Sequence, residues 1–179
     1  QRLVIIKNLA LLYLHTKDKR HESQIEGISN EASQALNEVK GISYNLRPYQ
    51  LDRIGLTKAI EAIIRSAESA SEINFSAKID DIDGYFPKES EINFYRIVQE
   101  SVNNILKHSN ATKAKVEIKS EEQNLKVIID DNGVGFSPET KSNGFGLIGI
   151  KERVDLLNGN IEIITALNQG VIIKILIQK

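Results

Sequence analysis

One predicted helix carries polar residues at one-turn spacing. At about 100° per residue, Glu100, Asn104, Lys107 and His108 fall within one sector of the helix predicted for Glu91–Lys107. A carboxylate and an amide one turn apart are oxygen ligands of the kind that Mg²⁺ prefers. Taken alone, the pattern favours a solvated face on an amphipathic helix. Any chemistry it performs therefore depends on what the rest of the chain places beside it.

A first glycine-rich stretch, Asp131–Phe136 (DNGVGF), directly follows the strand predicted for Leu125–Asp130. Two glycines flanking a valine allow the backbone to approach a flat ligand closely. Asp131, at the end of the strand, can accept a hydrogen bond from an exocyclic amine. The alternative is an ordinary turn, because Asp-Asn-Gly is common turn chemistry. A turn, however, would need only one glycine.

A second glycine-rich stretch, Gly144–Val154 (GFGLIGIKERV), formally matches the dinucleotide fingerprint G-x-G-x-x-G. That fingerprint must follow a strand, whereas the polar loop 137–143 precedes this one. The chain also contains no G-x-x-x-x-G-K-[ST] stretch, which excludes a P-loop. What remains is a glycine-rich backbone at the start of a helix, whose free N–H groups and positive dipole end suit phosphate oxygens.

The chain around these residues alternates between helices and strands. Helices are predicted over 56–69, 91–107 (capped by Ser90) and 148–157, and strands over 75–79, 115–119, 125–130, 160–165 and 171–177. The connections between strands are short, so we expect a largely antiparallel sheet. The pattern predicts an α+β protein whose globular part is an α/β two-layer sandwich.

The first 46 residues have a helical period and contain no proline. An almost wholly apolar run precedes a heptad seam made of Ile25, Ile28, Ala32, Ala35, Val39, Ile42 and Leu46. So much apolar surface needs a partner, and we predict a helical hairpin that forms a four-helix bundle in a homodimer. The alternative is that both helices pack on the rest of the same chain. Pro48 ends the second helix, which divides the chain into a hairpin (1–47), a linker (48–55) and a globular domain (56–179).

Composition excludes several classes of protein and site. Lysine plus arginine is 23 and aspartate plus glutamate is 24, so no cationic excess favours nucleic acid or an anionic membrane. Without cysteine, disulfides, thiolate metal sites and cysteine nucleophiles are excluded. No apolar run of about 18 residues could span a bilayer. Because the chain begins with Gln1 and contains no methionine, we expect it to be a piece of a longer protein.

Taken together, the motifs resemble the ATP site of the histidine-kinase type of GHKL ATPase. Gln99–Ala111 (QESVNNILKHSNA) resembles its N-box, Asp131–Phe136 its G1 box and Gly144–Val154 its G2 box. Leu46–Leu56 (LRPYQLDRIGL) resembles the segment that joins dimerisation helices to the ATPase domain in sensor kinases of the nitrate-sensor type. The resemblance covers almost the whole chain. It implies a two-component sensor histidine kinase core with a Bergerat ATP-binding fold.

This resemblance implies a role for each motif residue. Asn104 would bind Mg²⁺ with support from Glu100, Lys107 and His108 would face the phosphates of ATP, and Asp131 would bind the adenine amino group. The loop 137–143 would be the ATP lid. The remaining residues implied to contact ATP, which shape the adenine wall or line the phosphate side, are Gly133, Gly135, Gly144, Gly146, Leu147 and Gly149.

The chain departs from the family pattern in two places. Gly170 is followed by Val171, where the family usually has threonine, so a hydroxyl that could reach adenine through water is missing. The residues from Gln1 resemble those just after the family's H-box, so the acceptor histidine is expected upstream of the chain. His15 and His21 do not stand in the acceptor context, and we interpret them as surface residues near the turn of the hairpin.

The function implied by the resemblance is that of a cytoplasmic histidine protein kinase. It would bind Mg·ATP, transfer the γ-phosphoryl group to histidine and pass it to a response regulator, working as a homodimer. One alternative is a dimeric signalling scaffold or response-regulator phosphatase without kinase activity. Another is an ATPase clamp of the gyrase and mismatch-repair branch with Glu100 as the base. The amino-terminal hairpin argues against the clamp.

Overall fold

The structure is a computed structural model that describes residues 6, 28, 30–32, 35, 49–137 and 145–178. Contacts within the chain divide it into two compact units, 1–49 and 50–179. In the first unit, the six described residues before 49 are helical. The predicted hairpin as a whole, with His15 and His21, lies outside the described residues. The four-helix bundle therefore stays a prediction.

The second unit contains a mixed five-stranded sheet with helices. The elements are α1 (Tyr49–Ile54), α2 (Leu56–Ser69), β1 (Asn74–Ile79), α3 (Glu91–Asn104), a π-helical turn (Ile105–Ser109), β2 (Lys113–Ser120), β3 (Asn124–Asp131), α4 (Phe145–Leu156), β4 (Gly159–Thr165) and β5 (Val171–Gln178). The strand order is β1-β2-β3-β5-β4, which puts β3 at the centre. This confirms the predicted α/β architecture of the globular part of the α+β chain.

The sheet is antiparallel except for one pair. β2–β3, β3–β5 and β4–β5 are antiparallel, whereas β1 and β2 are parallel because the long helix α3 connects them. In the shared register, Val116 lies opposite Ile129, Ile129 opposite Ile173, and Ile173 opposite Ile163. The prediction of a largely antiparallel sheet is confirmed.

The core lies between one face of the sheet and the helices. Alternate residues of β2, β3 and β5 are buried, and they pack against the apolar sides of α2, α3 and α4. Phe94 and Val98 of α3 are fully buried, so they mark the side of the helix that faces the core. The charged side of α3 is thereby left to face away from the core.

The segment predicted as a linker contains the short helix α1, and Leu51 of that helix is buried in the core at 2% exposure. Two local predictions were wrong. Ser90 makes no side-chain capping bond, because the turn Pro87–Ser90 already has helical geometry and a capping residue needs an extended backbone. The α-helical geometry of α3 ends at Asn104, and Lys107 belongs to the π-helical turn.

Candidate functional site

A cavity of ≈ 390 Å³ opens between α3 and the sheet. One wall comes from α3 and the π-helical turn, and the other comes from the ends of β3 and β5 together with the loop after β3 and the start of α4. The lining residues are Glu100, Ser101, Asn104, Ile105, His108, Ser109, Ile129, Asp131, Gly135, Phe136, Gly146, Leu147, Val171 and Ile173. The cavity therefore joins all three motifs that the sequence singled out.

Asp131 is a buried carboxylate on an otherwise apolar wall. It ends the central strand β3 between Ala114 of β2 and Val171 of β5, and it is 6% exposed. Its Oδ1 accepts the backbone N–H of Gly133 at 2.8 Å. Burial raises the pKa of this carboxyl above its usual range, while backbone N–H groups of Gly133 and Val171 oppose the rise. Such a group can accept a hydrogen bond from an amine on a flat apolar ligand.

The two glycines of the loop after β3 are required by close backbone contacts. A Cβ at Gly133 would collide with the carbonyl oxygen of Ser109, and the next N–H, that of Val134, donates to the same oxygen at 2.7 Å. Gly135 has φ +54°, and a Cβ there would collide with the carbonyl oxygen of Ala166. Gly135 lines the cavity, whereas Gly133 supports it from outside the lining.

Glu100 and Asn104 converge on the start of α4. A Cβ at Gly146 would collide with Oε1 of Glu100 and would stand 3.3 Å from both amide atoms of Asn104. Both side chains line the cavity, so a carboxylate and an amide oxygen meet beside glycine backbone. This donor set fits Mg²⁺, which binds one or two protein oxygens and completes its shell with water and phosphate. Among the described residues, no group of three or more His, Cys, Asp or Glu side chains could hold a metal by itself.

The π-helical turn separates Lys107 from the other polar residues of the stripe. Its hydrogen bonds run from i to i+5, so each turn holds more residues than the 3.6 of an α-helix. His108 and Ser109 therefore come close to one full turn from Asn104 and line the cavity, whereas Lys107 falls further short of a full turn. Lys107 is exposed and absent from the lining, contrary to the spacing argument.

The second glycine-rich motif reaches the cavity through only part of its length. Gly146 and Leu147 line it. Gly149 lies inside α4, away from the lining, where its carbonyl accepts a hydrogen bond from Nη1 of Arg153 at 2.7 Å. Gly144 and positions 138–143 of the predicted lid lie outside the described residues.

Several residues of the site were missed at the level of sequence. Ser101 and Ser109 are buried on the cavity side of α3 and the π-helical turn, and each hydroxyl donates to the carbonyl four residues earlier. Phe136 was seen only as the end of a motif, and Thr165 was not considered. The apolar alternation of β3 and β5 could have indicated Ile129 and Ile173, since Ile129 precedes Asp131 by two residues and Ile173 follows Val171 by two, each on the same face of its strand.

Comparison with known families decides the identity of this fold. Residues 89–179, just over half of the chain, match the family described as histidine kinase-, DNA gyrase B-, and HSP90-like ATPase. The chain belongs to this ATPase family. The matched region contains α3, both glycine-rich motifs and every lining residue of the cavity. The GHKL resemblance is confirmed.

Curated relatives are histidine kinases by name. The signal transduction histidine-protein kinase/phosphatase DegS of Brevibacillus brevis is 36% identical over 148 residues, which are 82% of this chain and 38% of DegS. The oxygen sensor histidine kinase NreB of Staphylococcus carnosus is 34% identical over 173 residues, 91% of this chain and 47% of NreB. The chain thus spans less than half the length of these relatives.

Solved structures support the fold. The histidine kinase domain of the Erythrobacter litoralis EL346 blue-light activated histidine kinase has a TM-score of 0.66 at 16% identity, covering 98% of this chain and 93% of that domain. At this identity the likeness concerns the fold alone. Within the described part of the chain, no helix has the length and apolar character needed to cross a membrane.

Proposed function

We propose that this chain is the ATP-binding catalytic core of a sensor histidine kinase. In the whole protein it would transfer the γ-phosphoryl group of ATP to a histidine and then to a response regulator. The observation that carries the proposal is the cavity, in which a buried carboxylate on an apolar wall, Asp131, accompanies an oxygen pair on the helix wall, Glu100 and Asn104. Family membership and the names of the relatives support it.

The apolar wall suits adenine. Asp131 would accept the exocyclic amine, and Ile129, Val171 and Ile173 would contact the base on the sheet side. A carboxylate in this position is aimed at an amine donor and offers nothing to a carbonyl in the same place. Val171 supplies a methyl where the family usually has a hydroxyl, so the amine contact depends on Asp131 rather than on a water held by residue 171.

The helix wall suits the phosphates. α4 begins at Phe145 beside Gly146, so the N–H groups of its first turn and the positive end of its helix dipole lie next to the cavity. Asn104 would hold Mg²⁺, and Glu100 would orient its water shell. When bound, the ion would neutralise charge on the β- and γ-phosphate oxygens. His108, exposed at the rim, can donate a hydrogen bond toward a phosphate oxygen.

The reaction that this arrangement serves is phosphoryl transfer. An imidazole nitrogen attacks the γ-phosphorus, the bond from that phosphorus to the β,γ-bridging oxygen breaks, and ADP leaves with the electron pair. Little covalent chemistry falls to the protein, so alignment and charge neutralisation provide most of the rate. The residues on the cavity wall are suited to both tasks.

The assembly remains part of the proposal. We infer that residues 1–47 pair with a second copy in a four-helix bundle, that residues 56–179 carry the ATP site, and that a response regulator is the protein partner. A second candidate activity is dephosphorylation of that regulator, favoured by the kinase/phosphatase name of DegS.

The proposed ATP site can be tested with two neighbouring asparagines. Asn104 lines the cavity, whereas Asn103 lies beside it on α3 and does not. Titration with ATP should show saturable, Mg²⁺-dependent binding that Asn104→Ala weakens at least about tenfold. Asn103→Ala, which makes the same chemical change outside the cavity, should leave affinity within about twofold of wild type. No binding by the wild-type chain, or equal loss in both variants, would overturn the assignment.

The phosphoryl acceptor is tested separately. Neither His15 nor His21 stands in the acceptor context, and we therefore expect γ-labelled ATP to leave this chain unlabelled. A longer form that includes an H-box should acquire acid-labile, base-stable phosphate. Label on the present chain that disappears in His15→Gln or His21→Gln would show that the acceptor has been placed wrongly.

A further inference from the structure

One hydroxyl group joins two separate segments of the cavity wall. Oγ1 of Thr165, at the end of β4, accepts the backbone N–H of Phe136 at 3.0 Å and donates to the carbonyl oxygen of Gly170 at 2.9 Å. Phe136 lines the cavity, as does Val171, which follows Gly170 and lies opposite Thr165 across the β4–β5 pair. Thr165 itself does not line the cavity.

The contact lies at a tightly packed junction. The carbonyl of Val134 accepts the N–H of Asn168 at 2.6 Å, so the loop after β3 is bonded to the β4–β5 turn before it reaches Phe136. A Cβ at Gly135 would stand 2.7 Å from the carbonyl oxygen of Gly170 and 3.0 Å from Oγ1 of Thr165. The loop after β3 therefore has little freedom to move toward the β4–β5 turn, and Thr165 fixes the distance between the loop and the turn.

Loss of the Thr165 hydroxyl would remove the constraint on the distance between the loop and the turn. Valine has the shape of threonine, but it would leave the N–H of Phe136 and the carbonyl of Gly170 without this partner. A partly buried backbone group without a partner is unfavourable, so the loop would shift toward water to satisfy it. The shift would move Phe136 relative to Val171 and alter the width of the apolar part of the cavity.

We propose that Thr165 is a positioning residue of the nucleotide site, holding Phe136 and Val171 at the separation that a bound base needs. The inference rests on the proposed function only in the identity of the ligand. The hydroxyl acts through backbone atoms of both segments, and serine, which keeps the hydroxyl, should therefore replace threonine.

The chain offers a matched control in Thr57. Its Oγ1 also accepts a backbone N–H at 3.0 Å, that of Ile82, and lies 3.0 and 3.1 Å from carboxylate oxygens of Asp83 and Asp81, to one of which its single hydrogen donates. Thr57 belongs to α2 and has no place in the cavity lining. Thr57→Val thus also removes a threonine hydroxyl that bonds a backbone N–H, but its acceptors are carboxylates and it lies outside the site.

The experiment measures ADP affinity with Mg²⁺ by calorimetry, together with Tm and amide exchange of Phe136 without nucleotide. Thr165→Val should bind ADP about tenfold more weakly and exchange the Phe136 amide faster. Thr165→Ser should restore both. Thr57→Val should lower Tm while ADP affinity stays within about twofold of wild type.

Two results of the affinity measurement would overturn the inference. One is an ADP affinity of Thr165→Val equal to that of wild type despite a lower Tm, which would make the hydroxyl purely structural. The other is equal weakening in Thr165→Val and Thr165→Ser. Unchanged exchange of the Phe136 amide in Thr165→Val would separately refute the positioning role of Thr165. If the wild-type chain binds no ADP, the proposed function itself fails.

Discussion

Replacement of Asp131 by asparagine should separate binding from stability. The carboxylate has two oxygens, Oδ1 accepts the N–H of Gly133 at 2.8 Å, and the N–H of Val171 also acts on the group. Asparagine has one side-chain oxygen. If that oxygen stays with Gly133, the new NH₂ group faces the adenine amine, and two donors then meet.

The expected loss of affinity follows from the bond that is removed. A hydrogen bond to a charged group contributes about 1.5–3 kcal/mol, and each 1.4 kcal/mol is roughly tenfold in affinity. Asp131→Asn should therefore weaken ATP and ADP binding by about ten- to a hundredfold. Isothermal titration at pH 7 measures this directly, and equal affinity in variant and wild type would refute the adenine contact.

Asp131→Asn should also change how the free energy of unfolding depends on pH. The folded-state pKa of Asp131 is raised, mainly by burial, so the unfolded chain releases this proton at a lower pH than the folded protein does. The wild type therefore loses stability from about pH 4 upward, through the raised pKa. Asparagine carries no charge, so the variant lacks this pH-dependent loss of stability.

The unfolding free energy of Asp131→Asn minus that of wild type should thus become more positive between about pH 4 and pH 7. Urea denaturation of both proteins at each pH, without nucleotide, provides the measurement. A difference that stays constant or turns more negative over this range would show that folding does not raise the pKa of Asp131. Changes that affect both proteins equally cancel in the comparison.

Three further predictions follow from the site and the assembly. Gly146→Ala should weaken Mg·ATP binding about tenfold without lowering Tm, because the new methyl collides with Glu100 while alanine favours the helix; equal affinity in a titration would contradict this. His108→Ala should weaken binding several-fold more than Lys107→Ala, since only His108 lines the cavity; a larger effect of Lys107→Ala would instead support the α-helical spacing predicted from the sequence. Sedimentation of the whole chain should give about twice the chain mass, and residues 50–179 alone, which form the second compact unit, should be monomeric; a monomeric whole chain at tens of micromolar would argue against the bundle.

The fold was largely predictable because its signals are local and repeated. The alternation of apolar residues in β2, β3 and β5 predicted the bounds of these strands to within two residues at each end. α1 was missed because Pro48 and Gly55 bracket a segment too short to show a helical period. The burial of Leu51, which depends on distant core residues, has no signature in its neighbours.

The candidate site was predictable where a residue type has one dominant use. Asp131 after a strand, Gly135 in a tight loop and the pair Glu100 and Asn104 on one side of a helix were all placed at the cavity. Thr165 could not be found in this way. Its hydroxyl acts on backbone groups 29 residues earlier and five residues later, and only the folded register brings them together.

The π-helical turn explains why Lys107 was wrongly predicted to lie on the cavity-facing side of the helix. An α-helical continuation would have kept Lys107 on the stripe. Instead Ser109 bonds back to Ile105 at 2.7 Å, accepts the N–H of Ala111 at 3.0 Å, and presents its carbonyl to Val134. The turn ends at Asn110 in the left-handed region, φ 50°. The extra residue in this turn thus lets one helix end line the cavity with His108 and bond to the loop that carries Gly133 and Gly135. The tertiary contact decides the helix geometry, and local propensity has no means of specifying it.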